Sequence, residues 1–391
     1  MAHAFDGIKV VDTAINYAGP TTSMYLADQG ADVIKIERRV IGDTSRRSGN
    51  TPFLKLNSGQ FMGVNRGKRS ITLDITKPEG QEIARELARR ADVFVENFRP
   101  GVMDRLHIGY EALSAINPRL IYASLTAYGT KGPYADKAGF DRLVQGLSGA
   151  AYRKDAEGRP QSAGIWIADW SAPMLMAFGI SAALYAREQT GRGQLVESSL
   201  LHAAIAMQHG HLTVIEDNPT PARDENPAGY GSMRCADGAY INIGAYFPDQ
   251  WKRLCQVLGV PHFGEDPRLT DPLRLPQLHA EAWAAFDEII ATRPAAEWLK
   301  VLDEADVPCA PIIDRPQLRF EEQIIANDMM VEVQHPVAGR THIAGTAVHL
   351  SEMPSVKLEP APTLGQHTDE ILGELGYSAE RIAELRVAEV I

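Results

Sequence analysis

Along the first third of the chain, short β-branched runs alternate with helical segments. Residues 8–11 form a β-rich run. Ala18-Gly19-Pro20 opens a helical stretch through Gln29 that Gly30 stops, and residues 31–37 (ADVIKIE) alternate apolar and polar side chains. Two such runs joined by a helix and short connections predict a βαβ unit, and hence parallel pairing. The pattern repeats: an amphipathic helix over 79–90 after Pro78, a strand over 92–96, a helix over 110–116 and a strand over 120–125. Repeated β-α units predict an α/β fold with a Rossmann-like open parallel sheet.

The long apolar stretch near the middle of the chain carries a single early carboxylate, Asp169. The text Asp-Trp-Ser-Ala-Pro reads as a helix start, with Pro173 in the first turn. Residues 174–187 follow as a helix apolar on most sides, predicted to be buried. It stops at Thr190-Gly191-Arg192-Gly193, where glycine can turn left-handed. Read locally, Asp169 is an N-cap, since Asp is a favoured cap everywhere. The alternative is a nucleophile at a helix N-terminus whose free N–H groups stabilise an oxyanion.

Beyond this helix the pattern changes. Residues 216–231 (EDNPTPARDENPAGYG) read as a linker. The next residues place Asp237-Gly238 between two strand-like runs, a hairpin signal, and helices are predicted around 249–258, 280–291 and 295–304. The predicted organisation is therefore a large domain over 1–215, a linker over 216–231, a small α+β domain over 232–325, and a return segment over 326–391. That segment holds a β-like run at 341–350 and helices at 368–375 and 379–387.

Composition narrows the function. The 391 residues are 45% hydrophobic and 23% charged, and 39 basic against 50 acidic residues give a net charge of −11. This balance argues against general nucleic-acid binding. No apolar run reaches bilayer-spanning length free of charge, residues 165–184 coming nearest but containing Asp169, so no membrane association is expected. The N-terminus lacks a signal-peptide pattern, and three well-separated cysteines (Cys235, Cys255, Cys309) suggest a reducing compartment. The chain is expected to be cytoplasmic.

Several chemistries are disfavoured. The turn after the first strand, residues 13–20, lacks GxGxxG, so NAD is not expected. Walker A, HExxH and GxSxG motifs are missing, and His209 and His211 stand at i, i+2, a poor metal-ligand spacing on a helix, so no metal is expected. Basic residues cluster instead: Lys35, Arg38, Arg39, Arg46 and Arg47 after the second strand, then Lys68, Arg69, Arg99 and Arg105. Arg38 and Arg99 follow the carboxyl ends of predicted strands, the edge where open α/β sheets bind ligands. A cationic rim there suits a polyanionic small molecule.

Seven segments, read in order, resemble the class III CoA-transferases, the CaiB/BaiF family that includes formyl-CoA transferases and α-methylacyl-CoA racemases. They are GADVIKIERRVIGD, NRGKRSITLD, ADVFVENFRPGVMDRL, NPRLIYAS, the Asp169 segment with TGRGQLV, VPCAPI and LGQHTDEILGELG. The resemblance implies a Rossmann-like large domain built from both chain ends, a small domain, and a homodimer with interlocked subunits. It implies coenzyme A, as acyl-CoA, and a carboxylic acid as substrates. It also makes Asp169 the nucleophile, passing through an aspartyl anhydride and an aspartyl-CoA thioester. Arg38, Arg105 and Lys137 match basic positions that bind the nucleotide of CoA and its phosphates, Asn97 and Phe98 match a loop beside the cofactor, and Asn16 and Tyr17 lie at the turn near the pantetheine end.

The sequence also departs from its relatives. Tyr17 stands where formyl-CoA transferases carry glutamine, and their glycine-rich loop has no counterpart near residues 216–231. Racemases carry histidine in a text resembling AGHD, but this chain reads Ala138-Gly139-Phe140-Asp141. Phenylalanine cannot carry a proton, so transferase is favoured over racemase, with a non-catalytic acyl-CoA-binding protein as the remaining alternative. Asp141 is either a functional carboxylate or a cap at a helix start. Trp166, Trp170 and Tyr17 either line an acyl pocket or belong to the core.

Overall fold

A computed structural model of the chain describes residues 3–49, 54–217, 228–271 and 274–391. The central part of the expected linker lies outside the described residues. Six strands form one sheet: β1 (Lys9–Asp12), β2 (Asp32–Glu37), β3 (Lys68–Thr72), β4 (Val93–Glu96), β5 (Ile121–Thr126) and β6 (Leu195–Ser199). They run in the order β3-β2-β1-β4-β5-β6, all parallel. Strands β3 and β6 escaped the sequence pattern, because KRSIT and LVESS mix charge with short apolar content.

Strand alternation sends successive side chains to opposite faces, and both faces are covered. Val10, Val33, Val93, Val95, Ala123 and Leu125 pack on one side with the helices Ala18–Ala27 and Ile167–Thr190. Val11, Ile36, Ile71, Phe94 and Tyr122 face the other side, against the helix Pro78–Arg90 and the chain's C-terminal end. That end adds helices rather than strands to the sheet. Ile371, Leu372, Ile382, Leu385, Val390 and Ile391 join the second core. The Thr72 N–H donates to Thr368 Oγ1 at 3.1 Å and the Asp74 N–H to the Val390 carbonyl at 2.7 Å, which covers edge strand β3.

The chain divides into two compact units, residues 1–213 with 322–391, and residues 214–321. The second holds an antiparallel sheet of β7 (Tyr230–Arg234), β8 (Tyr240–Gly244) and β9 (Cys309–Pro311). Three helices, Pro248–Val257, Leu275–Ile290 and Ala295–Glu304, cover its core. The first unit also carries a hairpin of β10 (Met330–His335) and β11 (Gly339–Ala344).

The middle helix corrects the sequence reading in three ways. It begins at Ile167, with Trp166 as N-cap, so Asp169 lies inside the first turn and is not the cap. Pro173 is therefore internal, and having no N–H it leaves the Asp169 carbonyl without its i+4 donor. Nor is the helix buried all round. Ala168, Ala172, Met176, Ile180 and Ala183 face the core, whereas Met174, Phe178 and Tyr185 are 54%, 74% and 71% exposed. At 24 residues it is long and apolar enough to cross a bilayer by length and composition, which the counting of uncharged runs missed. Its inner face is a sheet-packing face of the core.

Candidate active site

The carboxyl ends of the parallel strands feed the loops that line two neighbouring cavities of about 520 Å³ and about 350 Å³. The larger includes Arg38, Asp43, Asp74 and Arg105 in its wall. The smaller includes Asn16, Tyr17, Asn97, Lys137, Phe140 and Asp169. Ile15, in the turn after β1, and Phe98, after β4, line both. The sequence-predicted site residues thus gather at one sheet edge, as the open α/β architecture requires.

Asp169 is half-buried, and among the described residues its carboxylate accepts no hydrogen bond. Burial first, and the neighbouring Asp141 second, push its pKa from 3.8 up to about 7. Asp141 opens the helix Asp141–Leu147 and is itself 3% exposed. Its Oδ2 accepts from the Ala168 N–H at 2.8 Å and from the Asp169 N–H at 3.2 Å, and its Oδ1 accepts from Gln145 Nε2. Gln145 in turn donates to the Ile165 carbonyl at 3.0 Å and accepts from the Ala163 N–H at 2.8 Å. Asp141 therefore caps a helix other than its own, the one that carries Asp169.

This arrangement corrects the oxyanion expectation. The Ala168 and Asp169 N–H groups are taken by Asp141, and the Ile167 N–H by the Ile165 carbonyl. The first turn presents a carboxylate to the cavity, with these donors already satisfied.

The turn after β1 is fixed by partners from three directions. Asn97 clamps Ile15, accepting its N–H at 2.9 Å and donating to its carbonyl at 2.8 Å, so the amide is spent on backbone. Gly19 gives this clamp room, because a Cβ there would lie 2.9 Å from Asn97 Cγ. Asn16 is left-handed at φ 66°, and its N–H donates to Asp43 Oδ1 at 3.0 Å. The Tyr17 ring stacks on Trp166 at 4.7 Å between centroids, Trp170 lies 6.2 Å away, and the Tyr17 hydroxyl donates to Gln60 Oε1 and lies 3.1 Å from the Ser48 hydroxyl. The Phe98 N–H donates to Glu96 Oε2 at 2.7 Å, and burial pushes Glu96 up to about 7. Asp43, Glu96, Ser48 and Gln60 were not singled out from sequence. Only Asp43, inside GADVIKIERRVIGD, and Glu96, inside ADVFVENFRPGVMDRL, sat in segments that carried a signal.

The cationic rim is smaller than expected. Arg38, Arg105 and Lys137 are exposed at the cavities, Lys137 with its Nζ 3.7 Å from the Tyr134 ring centroid. Lys35, Arg46 and Lys68 are buried in ion pairs instead: Lys35 with Asp43 at 3.0 Å, Arg46 with Glu37 at 2.6 Å, and Lys68 with Asp12 at 2.9 Å. A buried charge must be paired, and here three acids and three bases compensate one another. Burial pushes Asp12 up, but Lys35 and Lys68 outweigh it and hold its carboxyl below the usual range. Burial pulls Lys68 down to about 8. Among the described residues no group of three or more His, Cys, Asp or Glu side chains is placed to hold a metal ion.

Residues 5–368 match the model of CoA-transferase family III. The chain is 34% identical to a formyl-CoA:oxalate CoA-transferase of Bradyrhizobium sp. (strain ORS 278), over 98% of this chain and 96% of that protein. It is 33% identical to the succinyl-CoA:glutarate CoA-transferase of Mus musculus, over 99% and 90%. The crystal structure of a CaiB/BaiF family protein from Brucella suis superposes with a TM-score of 0.82 at 31% identity, over 96% of this chain and 100% of that one. With a six-stranded parallel sheet whose loops enclose both cavities, and a family match running almost end to end, this chain belongs to CoA-transferase family III and is a class III CoA-transferase.

Proposed function

We propose that the protein moves CoA from an acyl-CoA donor to a carboxylic acid acceptor, with Asp169 as the covalent nucleophile. The observation that carries this reading is the half-buried Asp169 carboxylate, free of hydrogen bonds among the described residues and lining the smaller cavity. Asp169 attacks the donor thioester carbonyl, the C–S bond breaks, and CoA leaves as thiolate from a mixed anhydride. The thiolate attacks the aspartyl carbonyl, releasing the donor carboxylate and leaving an aspartyl-CoA thioester. The acceptor carboxylate attacks that thioester, the C–S bond breaks, and CoA leaves again as thiolate from a second anhydride. The thiolate then attacks the acceptor's acyl carbon, which yields the new acyl-CoA and restores Asp169. Each intermediate preserves an activated acyl bond so long as water is kept away. Phe98, Leu125, Phe140 and Leu200 give the cavity an apolar lining suited to that task.

In this reading Arg38 and Arg105 face the nucleotide end of CoA in the larger cavity, and the pantetheine arm crosses Ile15 and Phe98 to reach Asp169. Lys137, expected at the nucleotide and its phosphates, lines the smaller cavity instead, so in this reading it lies with Asn16 and Tyr17 at the thioester end. Asn97 shapes the turn from behind, and Asp141 positions Asp169 and raises its basicity. The test is chemical capture. After incubation with acyl-CoA and hydroxylamine, the peptide containing Asp169 should carry a hydroxamate, and Asp169→Ala should lose transfer by several orders of magnitude while still binding CoA. Transfer at the unmodified rate by the alanine variant would remove the proposal.

A further inference from the structure

The turn shared by the two cavities is held by a buried carboxylate whose oxygens are engaged by the protein itself. Asp43 is 1% exposed and joins three parts of the molecule. Its Oδ1 accepts from the Asn16 N–H at 3.0 Å, and from the Ser45 N–H and Oγ at 2.8 Å each. Its Oδ2 lies 3.0 Å from Lys35 Nζ, and that same Nζ donates to the Ala14 carbonyl at 2.7 Å. Asp12 Oδ1 accepts from the Ala14 N–H at 2.9 Å. With Asn97 on both polar groups of Ile15, the backbone N–H groups of residues 14, 15 and 16 and the carbonyls of 14 and 15 are all fixed by side chains.

Left-handed backbone is uncommon for a residue with a side chain, and it persists where the surroundings over-determine it. Asn16 is such a residue, held by Asp43 at its N–H and by Thr44 Oγ1 at its side-chain Oδ1. Tyr17 follows directly and stacks on Trp166, the N-cap of the helix that carries Asp169. A shift of this turn therefore moves one wall of the Asp169 cavity.

We infer that Asp43 is a positioning residue for transfer, holding the turn Ala14–Tyr17 in register with Asp169. The inference rests on the reading that transfer occurs at Asp169. Misplacing a reacting group by about 1 Å can cost about a hundredfold in rate, whereas Arg105, in the wall of the larger cavity, lies on a separate short helix, Val102–Arg105.

The experiment measures kcat, KM for acyl-CoA and thermal midpoint on the full chain for Asp43→Ala, Asp43→Asn and Asp169→Ala. Asp43→Ala should lower kcat at least about tenfold, with KM changed by less than about threefold. Asp43→Asn keeps an acceptor for the Asn16 N–H but loses the charge facing Lys35. It should recover most of kcat while its midpoint stays depressed. A merely structural role would instead make kcat per folded molecule independent of the substitution. If Asp43→Ala does not fold, Thr44→Val decides: it removes the hydroxyl on Asn16 Oδ1 without disturbing the buried charges, and should lower kcat severalfold. Unchanged kcat in a folded Asp43→Ala, or in Thr44→Val where that variant decides, or an effect confined to KM, overturns the inference. Asp169→Ala in the same assay separates the two readings. If it stays active the site assignment fails, and if it is inactive while Asp43→Ala is normal, only the positioning inference fails.

Discussion

Replacing Asp141 with asparagine removes one negative charge beside Asp169 and keeps a carbonyl oxygen for the Ala168 and Asp169 N–H groups. Asp169 rises from 3.8 to about 7, with burial the larger cause and Asp141 the smaller. A rise of this size corresponds to about 4 kcal/mol against the ionised form, so Asp141 supplies at most about 2 kcal/mol. Asp169 must be ionised to attack a thioester. The kcat/KM of the unmodified protein should therefore rise with pH through about 7 and level off above it, if the free enzyme keeps this environment. In Asp141→Asn the rising limb should move about one pH unit toward acid. The substitution leaves Gln145 Nε2 facing an amide, a stability loss of about 1 kcal/mol that a thermal melt would register. Initial rates from pH 5 to 9 with a fixed donor and acceptor provide the assay. An unmoved limb in a folded Asp141→Asn, or no limb near neutrality in the unmodified protein, would refute this account of Asp169.

The same raised pKa affects stability with the opposite dependence. The folded state binds the Asp169 proton more tightly than the unfolded chain, so stability falls as pH rises from about 4 through about 7. Asp169→Asn should then raise the thermal midpoint by a few degrees at pH 8 and by little at pH 5, and equal gains at both would contradict it. Alanine at Arg38, Arg105 or Lys137 should weaken CoA binding by roughly ten- to a hundredfold each, less at high salt, and calorimetry showing three unchanged affinities would reject the assignment. With Phe140 at the cavity, a chiral 2-methylacyl-CoA in D2O should keep its optical activity, and rapid deuterium incorporation with inversion would favour racemisation. The expected homodimer would bury the exposed Met174, Phe178 and Tyr185, and a monomer in sedimentation experiments would refute that expectation.

Local pattern determined a large part of the fold. Period-two runs and β-α alternation marked β1, β2, β4 and β5, and helical patterning put the helices Tyr110–Ile116, Ala295–Glu304, Thr368–Leu375 and Ala379–Val387 at their observed bounds. Ordered motifs brought out Asp169 and the residues now found around two cavities. What the sequence could not decide depends on partners far away along the chain. Strands β3 and β6 exist because the sheet has edges to extend, not because KRSIT or LVESS insist on being strands. Lys35, Arg46 and Lys68 read as surface cations and became buried ions, since only the assembled fold brings Asp12, Glu37 and Asp43 to them. Asp141 could be seen as a carboxylate at the start of one helix. Only tertiary packing made it the cap of another, and so an influence on the charge of Asp169, 28 residues downstream. Hydrogen bonding within a helix is a local matter, whereas sheet pairing, desolvation and ion pairing are set by whatever folding brings close.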